Sequence, residues 1–193
     1  MTSNVIESEV VLFLLIDQGS VLTLQARAQH AEHITQARTR SLTDSGQEIT
    51  NRVRRTSVSG KAPVFTHCTK YLLPGNDMTQ GRAVEIEKPV SEEEYKAAIP
   101  FMGTVSVKYR HSIRIPGAIM EVDHMIPVGS TRGGNFIKVD IEGGRQDQVP
   151  HYLELLDKYG ITVARNLTAE GIKEGKNLGG KLMSGPEYNH AAK

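Results

Sequence analysis

The stretch TVSVKYRHSI, Thr104 to Ile113, decides how the chain folds. Side chains alternate across an extended chain, so residues two apart share a face. Thr104, Ser106, Lys108, Arg110 and Ser112 therefore point one way, and Val105, Val107, Tyr109 and Ile113 the other. A helix would scatter these two sets around its axis; a strand separates them.

Working outward, the same period recurs. In 47–58, Thr50, Arg52, Arg54 and Thr56 oppose Ile49 and Val53. In 134–144, Lys138, Asp140 and Glu142 oppose Ile137, Val139 and Ile141. Glu7 with Glu9, Glu85 with Glu87 and Glu121 with Asp123 repeat the spacing, and Gln36, Arg38 and Arg40 do so near the second strand. Strands are predicted over about 4–16, 32–42, 47–58, 63–72, 82–90, 103–113, 118–128 and 134–144, bounded by turn residues such as LPGNDMTQG at 73–81 and GSTRGGN at 129–135. Three helices interrupt them: one over 20–31 capped by Ser20, one opened by the capping box at Ser91 and Glu94, and one after Pro150 that Gly160 stops. Strand, helix, four strands, helix, three strands, helix is not a βα alternation. It predicts a mainly β, α+β fold: an eight-stranded antiparallel barrel with helices packed outside. The barrel domain is expected over 1–165, and 166–193 reads as a polar tail with one short helix at 168–174.

Bulk properties set limits. The 193 residues suit one domain, and a formal charge of +1 gives no general field for duplex nucleic acid. The single cysteine, Cys68, rules out an internal disulfide and a cysteine-built zinc site, and suits a reducing, cytoplasmic setting. The apolar run Val10 to Ile16 is far shorter than the roughly 20 residues that span a bilayer. Glu7 and Glu9 stand where a leader would carry positive charge, so a soluble, unprocessed chain is expected.

A polar strand face can simply meet water. Here three helices with apolar faces need cover, and the apolar strand faces supply it, which turns the charged faces inward. Burying so many charges is costly unless ions or ligands pair them. Carboxylates two apart on neighbouring strands offer hard oxygens to magnesium or manganese. Arginines and lysines opposite them can hold a row of phosphates.

These segments, in this order, resemble the CYTH domain, the triphosphate tunnel metalloenzymes. The resemblance runs from about 5 to 160 on IESEVVLF, ITQARTR, NRVRRT, CTKYL, VEIEKPVSEEEY, VKYR, EVDHM and IKVDIE. It implies Mg2+ or Mn2+ held by Glu7, Glu9, Asp140 and Glu142. It implies phosphate ligands Arg52, Arg54, Lys70, Lys108 and Arg110, joined by Arg38 and, given a bulge, Arg82. Glu85, Glu87, Glu121 and Asp123 match inner carboxylates used for metal or base recognition. The implied activity is metal-dependent hydrolysis of an inorganic or organic triphosphate (nucleotide, thiamine or RNA 5′). The alternatives are a nucleotide- or polyphosphate-binding protein with impaired catalysis, or an adenylate cyclase of the class IV type. The partner is a triphosphate or nucleotide, with no membrane and with room for a homodimer. The family's ExExK signature reads ESEVV here: Val11 stands at the lysine position, and no tyrosine precedes Tyr71. Binding is thus better provided for than water activation, and no catalytic residue is assigned.

Other motifs carry less. GKNLGGKL at 175–182 has Leu182 where a phosphate loop needs Ser or Thr. His67, His111 and His124 lack ligand spacing, and Cys68 reads as a small packed residue.

Overall fold

The computed structural model describes residues 3–44, 47–72, 80–127 and 130–169, with residues 3–8, 48, 72 and 80–82 described as backbone alone. Strands β1 (Ser3–Ile16), β2 (Glu32–Leu42), β3 (Glu48–Ser57), β4 (Val64–Leu72), β5 (Gln80–Pro89), β6 (Thr104–Ile115), β7 (Ala118–Ile126) and β8 (Phe136–Glu142) follow the alternating segments. A ninth, β9 (Val163–Asn166), was not expected. Its four residues are too short to show a period, and it is held by pairing with β1. All pairings are antiparallel, in the order β5-β4-β3-β2-β6-β7-β8-β1-β9, and β5 pairs β1 as well. The barrel is closed only loosely. β1 pairs β5 through Ser3–Val10 and β8 through Glu9–Leu15, so the two seams overlap only at Glu9 and Val10.

Helices α1 (Gln18–Arg27) and α3 (Val149–Lys158) cover one side of the barrel and α2 (Glu92–Ala98) another. Beneath α1 and α3, the outward residues Val10, Leu12 and Leu14 of β1 meet Ile137, Val139 and Ile141 of β8, Val21, Leu24, Tyr152 and Leu156. Burial of each such large side chain contributes about 1.5–3 kcal/mol. Ala37 and Val53 lie under Tyr95 of α2. The apolar faces thus point out to the helices, and the charged faces point in.

The cap of α1 differs from expectation. Asp17, not Ser20, is the N-cap, and its carboxylate accepts from the Ser20 N–H at 2.7 Å. Ser20 is buried one turn in, where its hydroxyl accepts from Thr162 N at 2.7 Å and ties α1 to the chain leading into β9. The capping box of Ser91 and Glu94 is as expected, and Gly160 ends α3 at a φ of 77°. After β9, Leu167 is buried and Phe13 N donates to Thr168 Oγ1 at 3.1 Å, so packing continues past residue 165. GKNLGGKL and most of the expected tail helix lie outside the described residues.

No helix among the described residues is long and apolar enough to cross a membrane.

Candidate functional site

Register brings the charged faces together. Glu9 stands opposite Glu142 across β1 and β8, Asp140 opposite Glu121 across β8 and β7, and Asp123 opposite Arg110 across β7 and β6. On the other wall Arg38 faces Arg52, Arg52 faces Cys68, and Lys70 faces Glu85. A cavity of about 310 Å³ lies between the walls. Glu9 of β1, Glu121 of β7 and Lys138, Asp140 and Glu142 of β8 line it together with Arg52 and Arg54 of β3, Lys70 of β4, Glu85 and Glu87 of β5 and Arg110 of β6. Every lining residue among those described is ionisable.

Most cations are already matched to carboxylates. Asp123 is fully buried and accepts from Arg110 Nε at 2.7 Å, from an Arg110 terminal nitrogen at 2.9 Å and from Lys108 Nζ. Burial alone would raise its pKa, but Lys108 and Arg110 together hold it well below the ordinary carboxylate range. Arg110 also touches Glu121 and lies 3.7 Å from Asp140. Arg52 pairs with Glu85 at 3.0 Å, and Lys70 with Glu9 at 3.0 Å. Lys138 Nζ sits 2.6 Å from Asp140.

Two groups stand apart. Glu121 is pushed up to about 7, first by burial and then by Glu142, Asp140 and Asp123, against the pull of Arg110. Arg54 forms no ion pair among the described residues, and its Nε is buried without a hydrogen-bond partner. Burial, then Arg52 and Arg110, lowers its hold on the proton. Arg38 is lowered likewise, by burial and by Arg52.

Of the residues expected to line the site, Glu9, Arg52, Arg54, Lys70, Glu85, Glu87, Arg110, Glu121, Asp140 and Glu142 surround the cavity. Lys108 and Asp123 do not border it. They form a buried pair: register sets Asp123 directly opposite Arg110, and Lys108, opposite Met125, reaches it diagonally. Arg38 lies outside the lining. Glu7 and Arg82 are described as backbone alone, and the bulge that would turn Arg82 to the face of Glu85 is absent from an unbroken β1–β5 register.

Sequence reading passed over two side chains. Lys138 shares the face of Asp140 and Glu142, as its alternation indicates, and lines the cavity with them. Cys68 is buried as expected, yet its sulfur and single carboxylate oxygens of Glu85 and Glu87 all lie within 4.8 Å of one another. His111 and His124 lie on the opposite strand face from the charges. Burial lowers both, His111 to about 4, and His124 Nε2 is bonded to Gly134 O at 2.7 Å. Gly133 presses on this ring so closely that a Cβ there would come within 2.3 Å of it.

The carboxylates suit a hard divalent cation. Glu9 and Glu142 are directly opposed, an unfavourable placement for like charges unless a cation lies between. Glu9, Asp140 and Glu142 all line the cavity with oxygen donors, while the described residues whose ligand atoms come within 4.8 Å of one another are Cys68, Glu85 and Glu87.

No protein-family model matches the chain, and no curated protein sequence does. Solved structures do. One is a Hippeastrum protein described as an adenylyl cyclase with a dominant triphosphatase activity. It is 15% identical, with a TM-score of 0.51 over 88% of this chain and 96% of that one. Another, from Bacillus halodurans and described as an adenylate cyclase, is 16% identical, with a TM-score of 0.50 over 81% and 92%. At such identity the likeness is one of fold: the chain has the CYTH-type tunnel fold.

Proposed function

We propose that the chain binds a triphosphate in its charged lumen and hydrolyses it with the help of a divalent cation. The observation that carries this reading is the cavity lined by ionisable side chains of both signs, carboxylates from β1, β5, β7 and β8 and cations from β3, β4, β6 and β8. Arg54 is the group most in need of an anion, and Arg52 and Lys70, which line the same cavity, could exchange carboxylates for phosphate oxygens. Glu9, Asp140 and Glu142 would hold the cation, which when bound offsets phosphate charge and makes water a better nucleophile. Phosphoryl transfer is largely positioning and electrostatics, so the lumen needs no covalent nucleophile. The Hippeastrum structure, with its triphosphatase activity, supports the same reading.

A second reading has an observation of its own. Opposite Asp140 on β1 stands Val11, buried and apolar, so this strand offers no ammonium there. A protein that binds nucleotides or polyphosphate and turns them over poorly would tolerate that gap. Cyclisation of ATP would use the same lumen.

A panel of inorganic triphosphate, ATP and thiamine triphosphate with Mg2+ or Mn2+, scored for binding and for released phosphate, separates the readings. Tight binding with phosphate release supports hydrolysis, binding without release supports the second reading, and release of pyrophosphate with cyclic nucleotide supports cyclisation. Absence of binding throughout contradicts all three.

A further inference from the structure

We propose that Lys138 contacts the bound phosphate chain directly, an inference that rests on triphosphate binding in the lumen. Lys138 lies on β8 opposite Phe13 of β1, on the cavity-lining face two residues from Asp140. Facing this stretch of β8, β1 presents Val11 opposite Asp140 and Phe13 opposite Lys138, so neither position supplies a cation. Lys138 supplies the ammonium for this part of the wall.

Its present partner is one that a loaded lumen would take away. Among the described residues Lys138 is ion-paired with Asp140 alone, at 2.6 and 2.7 Å to the two oxygens. Asp140 belongs to the oxygen set proposed for the divalent cation. Of the other lumen cations, Arg110 is bound to Asp123, Glu121 and Asp140, Arg52 to Glu85 and Glu87, and Lys70 to Glu9 and Glu85, while Arg54 forms no ion pair among the described residues. Lys138 keeps 34% of its side chain exposed, against 9% for Arg110. A flexible four-carbon stem lets its ammonium swing from carboxylate to phosphate oxygen with little rearrangement, which a bidentate arginine cannot do.

The test is calorimetric affinity for inorganic triphosphate with Mg2+, on wild type, Lys138→Met, Lys138→Arg, Arg54→Ala and the double variant Val11→Lys with Lys138→Met. Val11 is a diagonal neighbour of Lys138 across the β1–β8 pair, about 7–8 Å away and within reach of a long side chain. Lys138→Met should weaken binding about ten- to a hundredfold, the scale of a charge-assisted hydrogen bond. Lys138→Arg should keep most of the affinity, and the double variant should regain it. The melting temperature of the empty protein should not fall with Lys138→Met. If Lys138→Met binds like wild type while Arg54→Ala does not, the lumen reading stands and this inference is overturned. If Lys138→Met lowers the melting temperature and leaves affinity intact, Lys138 is a structural partner of Asp140 and the inference is likewise overturned. Should wild type itself not bind triphosphate, the lumen reading falls and takes the inference with it.

Discussion

Arg54 and Lys108 look alike in sequence, each a cation on an alternating strand, and they differ in what faces them. Arg54 has no ion pair among the described residues, whereas Lys108 is buried against Asp123. Replacing Arg54 by alanine should weaken triphosphate binding by about 1.5–3 kcal/mol and leave the empty protein as stable as before, or more so. Lys108→Ala should instead destabilise the empty protein by about 3–5 kcal/mol, since it strips a partner from a fully buried carboxylate. Thermal melts with and without ligand read both effects, and equal behaviour of the two variants would contradict the assignment. Glu121 gives a pH signature. Its carboxyl is raised to about 7 from 4.5, so the folded protein holds this proton more tightly than the unfolded chain does. Stability of the cation-free protein should therefore fall as pH rises between these values, by on the order of 2 kcal/mol, and Glu121→Gln should flatten the profile. Alternation assigned these residues to one face. Which cations are already neutralised depends on cross-strand register, and register is set by turns and packing that a single strand does not reveal.

Elements were legible where their signals were local. The eight long strands and the capping box of α2 follow from period and from the Ser91–Glu94 spacing. The start of α1 was misread because Asp17 and Ser20 are both good caps. The choice was made by tertiary structure, since Ser20 is needed by Thr162 N. Asp17→Ala should cost about 0.5–2 kcal/mol of stability with no change in triphosphate affinity, because α1 lies outside the lumen. A changed affinity would mean that α1 is coupled to the site. β9 escaped notice because VARN has neither period nor length, and its place comes from the free edge of β1 beyond β5.

At the scale of the whole molecule, the fold is explained by which way the charges point. Helices take the apolar faces of the sheet, the barrel turns its ionisable faces inward, and the cost of gathering them is met partly by internal ion pairs and partly, in this account, by a bound cation and phosphate chain. Inward charge was readable from the sequence because it recurred on strand after strand. The loose closure, with β1 shared between β5 and β8, was not, since it depends on the stagger of strands distant in the chain. The most direct test is titration of the wild-type protein with inorganic triphosphate by calorimetry, in Mg2+ or Mn2+ and again in excess EDTA. Tight binding with the cation and its loss on chelation, restored by adding the metal back, is the predicted result. Equally tight binding in EDTA would contradict the role given to Glu9, Asp140 and Glu142, and no binding under either condition would contradict the lumen as a phosphate site.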